Sequence, residues 1–265
     1  MILASASAGS VALSLAAALA YAVPAVAGHR LPQAAARWSL LAAWILHGLT
    51  LIAGFATATP MFGWAPALSA TAWLVLTVYL VERELFPQLH ARWALAGLGV
   101  VALLLPIIDP GRPLPQTGSG WQPVHVALGI SAYGFFAAAV VHAWLMRRAE
   151  QQMRHAAEPQ AGIPLLTLER LTFRFAAIGF ALLSATLLAG LLFSESLYGR
   201  PWKWDHKTVF SSLAWVAFAT LLLGRARFGW RGRRAVRVLY TGSLLLLLAY
   251  VGSRFVLEVV LRRPA

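Results

Sequence analysis

The sequence predicts an all-α, polytopic integral membrane protein with about eight transmembrane helices. Three observations carry that reading. Of its 265 residues, 60% are hydrophobic and only 12% are charged, about half the charged share of a soluble domain. Mean hydropathy is +0.70. Apolar runs of about 20 residues, the length that crosses a hydrocarbon core about 30 Å thick, recur along the whole chain. No stretch shows the alternating segments of about ten residues that build a membrane β-barrel. Residues 1–265 read as a single transmembrane helical domain, with no convincing internal repeat.

The spans follow in order. The first, 3–27, ends in Ala25-Val26-Ala27, which imitates a signal-peptide cleavage site. A signal peptide carries its positive charge before the apolar core, whereas the first basic residue here is Arg30. The expectation is a retained first helix. The second span, 38–58, follows Pro32, and the third, 66–82, lies between Pro60 with Pro66 and Pro87. The fourth, 91–108, stops at "DPGRPLPQTGSG" (109–120). The fifth, 122–146, is separated from the sixth, 171–193, by a connection holding Pro159 and Pro164. Gly199-Arg200-Pro201 precedes the seventh, 208–224, and "FGWRG" separates it from the eighth, 236–261. Proline and glycine clusters of this kind break regular structure.

Net charge is +13, from 22 Lys and Arg against 9 Asp and Glu. On a soluble chain that balance points to nucleic acid. Here the basic residues sit in short connections between apolar runs, so topology explains them and nucleic acid is set aside. The odd connections hold Arg30 and Arg37; Arg83 and Arg92; Arg147, Arg148 and Arg154; then Arg225, Arg227, Arg231, Arg233 and Arg234. The even connections hold Arg112, then Arg200, Lys203 and Lys207. Twelve against four places the odd connections in the cytoplasm and both termini on the outer, periplasmic side. Arg262 and Arg263 oppose that rule but are too few to reverse it.

The chain has no cysteine. That excludes disulfides, thiol redox chemistry, cysteine-held iron–sulfur clusters and covalent haem attachment to this chain.

Of the seven histidines, His29, His90 and His155 fall in charged connections and read as solvated. His47 lies mid-span in "LLAAWILHGLTLIAG". An ionisable side chain at that depth faces a protein interior or a cavity, so a helix-bonded structural role and a functional one both stand. His125 begins the fifth span, with Gly129, Ala132 and Phe136 on its face at helical spacing. Small residues beneath it leave room for a flat ligand. His142 is about 25 Å deeper on the same helix and reads as structural.

"RPWKWDHKTVFSSLAW" (200–215) opens the seventh span at the same outer level. Asp205 suits a helix N-cap, and Trp202 or Trp204 taken singly suits an aromatic belt. The whole cluster, with His206, exceeds what a belt requires. Two neutral imidazoles, His125 and His206, can ligate haem iron from opposite faces. Aromatic rings would cover the porphyrin. Arg200, Lys203, Lys207 and Arg254 would meet its propionates. Arg254 has a rival partner in Glu258, at i+4. Two histidines alone make a poor zinc site.

These motifs resemble a known family. "WKWDHKT…LAW", "GWRGRRAV", "AYVGSRFVLE", "VHVALGISAYGFF" and "LERLTFRFAAIGF" resemble the cytochrome c assembly membrane proteins, the CcsA-type haem-handling group. The likeness is nearest to its small eight-span HemX/YpjD-like branch and strongest over about 121–258. It implies an external tryptophan-rich haem segment, whose tail Trp202, Trp204 and Asp205 match. It also implies an external histidine at the start of a span, matched by His125, and an embedded one, matched by His47. The tryptophan-rich stretch is shortened here, and the usual Trp-Asp-Pro becomes Trp204-Asp205-His206. The role of His206 therefore rests on chemistry alone.

The resemblance implies a multi-pass protein of the bacterial inner membrane that binds b-type haem non-covalently and assists cytochrome c biogenesis. Its partners would be membrane lipid, other cytochrome c assembly proteins or apocytochrome c. No catalytic activity of its own is expected, beyond service as an accessory of a haem lyase or synthetase. Two further readings stand. One is a regulator of haem synthesis acting through basic loops such as "RARFGWRGRR". The other is a small-molecule transporter subunit lined by His47, Arg174 and Glu258.

Overall fold

Each apolar run forms a helix. The computed structural model describes residues 8–27, 30–57, 59–85, 92–114, 120–154, 164–195 and 204–260. The helices are α1 (Ala8–Ala27), α2 (Gln33–Phe55), α3 (Trp64–Leu85), α4 (Arg92–Ile108), α5 (Trp121–Arg154), α6 (Leu165–Leu192), α7 (His206–Phe228) and α8 (Gly232–Leu247). The chain is an all-α polytopic membrane protein. Seven of these helices are long and apolar enough to cross a membrane, and α4 contributes a shorter apolar stretch, Ala94–Ile108. Beyond α8 the helix continues through a π-helical turn, Leu248–Gly252, a short α-helical Ser253–Phe255 and a second π-helical turn, Val256–Val260.

Helix edges depart from the apolar spans where polar helix formers extend them. α5 reaches Arg154 rather than 146, through "RRAEQQMR". α6 starts at Leu165 rather than 171, through "LLTLER". Hydropathy marks the part that crosses oil, whereas Arg, Glu, Gln and Met continue a helix into water. Pro66, expected as a separator, lies in the first turn of α3, where its missing N–H has no intrahelical acceptor to lose.

A short antiparallel pair, β1 (Met61–Phe62) with β2 (Arg112–Pro113), joins two connections that the sequence shows only as breakers. Asp109 organises it. Its carboxylate accepts the Trp64 indole N–H at 2.6 Å and the Gly111 N–H at 2.9 Å. Gly111 takes φ +82°, and a Cβ there would strike the Phe62–Gly63 backbone.

Contacts divide the chain into two compact units, Met1–Leu114 and Pro115–Ala265. In the first, α1 packs on α2 and α4, and α3 packs on both of those helices. Tyr21, Leu40, Ala43, His47, Leu76 and Ala96 form its buried centre. Trp44 and Trp73 stack with centroids 5.2 Å apart. Each also donates a bond to the other helix, Trp44 Nε1 to the Thr77 hydroxyl at 2.8 Å and Trp73 Nε1 to the Trp44 carbonyl at 3.0 Å.

In the second unit α5 packs on α6 and α8, and α7 packs on α6 and α8. Phe136 of α5 stacks on Phe218 of α7, centroids 3.6 Å apart and planes 9° from parallel. Glycines bracket the pair. A Cβ on Gly179 of α6 would lie 3.2 Å from the Phe136 ring, and one on Gly242 of α8 would lie 2.8 Å from the Phe218 ring. One aromatic stack thus touches all four helices.

At the α5 C-terminal end a charged knot closes this unit. Glu169 of α6 pairs with Arg225 of α7 at 2.7 Å and with Arg231 at 3.3 Å. Arg225 also donates to the Trp230 carbonyl and lies 4.6 Å from the Phe173 ring centre. Arg234 lies 3.9 Å from the centre of Trp230. "LERLTFRF" and "GWRGRRAV" therefore meet as one structural joint.

Two outcomes follow for thermal unfolding in detergent. Gly242→Ala forces Phe218 off its stack and lowers stability by about 1–3 kcal/mol, whereas Gly54→Ala, with open space around it, leaves stability unchanged or slightly raised. Glu169→Ala strips Arg225 of its carboxylate; the pair is partly exposed, so the loss is about 1–2 kcal/mol.

Candidate functional site

The sequence "WDHKT" makes a helix start. Asp205 has extended backbone (φ −90°, ψ 171°), and its carboxylate accepts the Thr208 N–H at 2.9 Å. It is the N-cap of α7, satisfying one of the donors that a helix leaves open. Partial burial alone would raise the Asp205 carboxyl. The Thr208 backbone and hydroxyl hydrogen bonds, with the charges of Lys207 and His206, outweigh that and hold it below the usual carboxylate range.

The cap sets the first turn of α7. Trp204 stands 73% exposed before it, and His206 is exposed on the turn. Lys207 turns inward and is half-buried. Its ammonium lies 5.4 Å from the centre of the Tyr250 ring, and its charge acts on the His125 imidazole of α5. Arg254 approaches the same ring, 5.6 Å from its centre. Trp202, Arg200 and Lys203 lie outside the described residues, as does the side chain of Glu258.

One end of the second unit thus gathers His125 from α5, Asp205 and Lys207 from the α7 start, and Tyr250 and Arg254 from the stretch after α8. Tyr250 occupies a π-helical turn, a wider winding that recurs at functional sites. The Tyr133 hydroxyl of α5 donates to the Leu246 carbonyl just before that turn. Trp121 stacks on Phe193 at 4.8 Å, joining the α5 start to the α6 end. Beneath His125, Gly129 faces Thr186 of α6, to which an added Cβ would come within 3.6 Å. Phe136 serves the core stack instead of His125, because eleven helical residues separate them by about 16 Å.

Sequence reasoning passed over Tyr250. A signal was present: Tyr250 and Arg254 are four apart, the spacing that puts two side chains on one helical face.

His47 belongs to the first unit and is fully buried. Its Nε2 and the Ser69 hydroxyl of α3 are hydrogen-bonded at 3.0 Å. The Tyr21 ring of α1 meets it edge-on, centroids 5.8 Å apart. The His47 Nδ1 and the Tyr21 hydroxyl are both buried and find no hydrogen-bond partner among the described residues. His142 is structural: its Nδ1–H donates to the Ala138 carbonyl at 2.7 Å, and its ring leans on Phe175. Among the described residues no three His, Asp or Glu side chains converge as ligands of a free metal ion would.

Comparison with known proteins places the chain in a family. A family model described as cytochrome C assembly protein matches residues 40–261. The inner membrane protein YpjD of Escherichia coli is 34% identical over 139 residues, 52% of this chain and 52% of that protein. In that match the chain spans about half the length of the curated relative. An uncharacterized 28.8 kDa protein of Azospirillum brasilense is 30% identical, over 75% of this chain and 78% of its own length. The cytochrome c biogenesis protein CcsA of Prochlorococcus marinus is 26% identical, over 69% of each chain.

The cap is testable by itself. Asp205→Ala lowers the unfolding free energy by about 1 kcal/mol, and Asp205→Asn keeps most of the cap. A carboxyl held low in the folded state stabilises above its unfolded pKa of about 3.9 and loses that contribution as pH falls through the folded value. The advantage of wild type over Asp205→Asn in detergent melting should therefore vanish on acidification through that range. Parallel melting curves at every pH would mean that the charge adds nothing.

Proposed function

Since the chain belongs to the cytochrome c assembly protein family, we propose that it is a haem-handling protein of the bacterial inner membrane serving cytochrome c biogenesis. The observation that carries the proposal is the approach of Lys207 and Arg254 to one ring, Tyr250, with the His125 imidazole of α5 within electrostatic range of Lys207. A porphyrin needs an imidazole for iron, cations for two propionates and an aromatic surface for its ring. These four residues supply that set. With no cysteine in the chain, the haem is held as b-type, without a covalent link.

In this reading His125 would hold the haem iron. Lys207 and Arg254, which both approach the Tyr250 ring, would hold the propionates. Asp205 positions rather than ligates, because its carboxylate is committed to the first turn of α7. His206, exposed on that turn, offers the second imidazole, with Trp202 and Trp204 as aromatic cover. Haem supplies the iron and the reactive vinyl groups that become joined to cytochrome c. Apocytochrome c or another assembly protein brings the cysteines that this chain lacks.

His47 is assigned the embedded site. Its orphaned Nδ1 suits an iron or a water, and its Ser69 bond fixes the ring. Full enclosure by Tyr21 and Ser69 means that a porphyrin reaches it only if those side chains move aside. The proposal also takes residues 1–265 as one membrane domain with both termini outside, as the Lys and Arg count directs.

The test is haem titration of the purified protein in detergent, followed by visible spectra of the oxidised and reduced forms. Wild type is expected to give a six-coordinate, imidazole-ligated spectrum that His125→Ala abolishes. Lys207→Ala with Arg254→Ala should keep the spectrum and weaken haem affinity by about tenfold, or 1.4 kcal/mol. A well-folded protein that takes up no haem would end this reading.

A further inference from the structure

The end of the second unit opposite His125 carries a groove of its own. Arg147 of α5 lies 22 residues beyond His125, about 33 Å along the helix. It faces Arg233, Arg237, Tyr240, Thr241 and Leu244 of α8 across a groove of about 390 Å³. The α8 residues follow one another at helical spacing, so they form one face of that helix. The Arg147 charge acts on the Tyr240 hydroxyl across the groove. Among the described residues none of these three arginines pairs with a carboxylate, whereas Arg225 and Arg231 nearby share Glu169. Arg233 and Arg237 are exposed and Arg147 is half-buried, so solvent screens their mutual repulsion while the three guanidiniums together leave the groove strongly positive.

The groove is also amphipathic along its length. Arg233 and Arg237 lie at the polar end. Leu244, 56% exposed, lies two to three turns further along α8, about 10–16 Å away. It belongs to the segment Gly232–Phe255 that is apolar enough to cross a membrane. A ligand that fills this groove is anionic at one end and apolar at the other. We infer that the groove binds the phosphodiester headgroup of an anionic phospholipid. Arg147, Arg233 and Arg237 grip the phosphate oxygens by paired N–H bonds, Tyr240 and Thr241 donate hydroxyls, and an acyl chain runs down over Leu244. A free phosphate would use only the polar end, and haem handling at His125 requires no such site.

The experiment uses the full chain in detergent and titrates it with short-chain phosphatidylglycerol, phosphatidylcholine or inorganic phosphate, with native mass spectrometry counting bound molecules. Wild type should retain phosphatidylglycerol and neither of the others. Arg147→Gln with Arg237→Gln should weaken that binding roughly 30-fold, with Arg237→Gln alone intermediate. Arg227→Gln removes an exposed charge outside the groove and should change binding less than about twofold. Circular dichroism confirms that each variant remains helical. An equal loss in Arg227→Gln would replace the site with diffuse surface charge and overturn the inference. Inorganic phosphate binding as tightly as the lipid would overturn it as well, as would a double variant that binds like wild type.

Discussion

The face-to-face stack of Phe136 on Phe218 is the contact on which the second unit depends. Lipid tails are as apolar as phenyl rings, so removing these rings from water is not what holds the helices together; close fit and dispersion are. Rings 3.6 Å apart need flat neighbours, and Gly179 and Gly242 supply them. The stack fixes α5 against α7 at mid-height, with α6 and α8 closed over it. Everything at the two helix ends inherits that registration: His125 and Lys207 at one end, Glu169 and Arg225 at the other.

Away from those ends the interior obeys a second constraint, that polar groups deep in a membrane protein find partners within the protein. Thr71, Thr77, Thr172, Ser184, Thr186 and Thr220 each bond the carbonyl one turn back. Trp44, Trp73 and Trp215 place their indole N–H groups on neighbouring helices or on each other. Against that background the Nδ1 of His47 and the hydroxyl of Tyr21, which find no partner among the described residues, are exceptions, and the two rings meet edge-on. Leaving two buried polar atoms unmet costs stability, of the order of 1–3 kcal/mol each.

Much of this was legible in the residues. Runs of about 20 apolar residues are long-range signals, and all eight expected spans match helices. Their ends were less legible, because Arg, Glu and Gln carry α5 and α6 past the oil without a change of period. The Asp109 joint was hidden since it depends on a side chain meeting Trp64, 45 residues earlier. At the candidate site, Asp205 was readable as a cap because capping is local. Tyr250 was readable only in part: its spacing to Arg254 is local, but Lys207 is 43 positions away in sequence and set beside it only by the packing of α7 on the π-helical turn. Residue type identified the imidazoles and cations; only tertiary packing says which of them share a space.

The imidazole of His125 is the proposed iron ligand, where α5, α7 and the stretch after α8 meet. The most direct measurement is chemical rescue. His125→Gly protein, reconstituted with haem, is titrated with free imidazole while its visible and electron paramagnetic resonance spectra are recorded. The variant is expected to lose the low-spin imidazole-ligated signal, and added imidazole to restore it by entering the vacated space. A His125→Gly protein whose spectrum equals that of wild type before any imidazole is added would contradict it, because the iron ligand would then lie elsewhere.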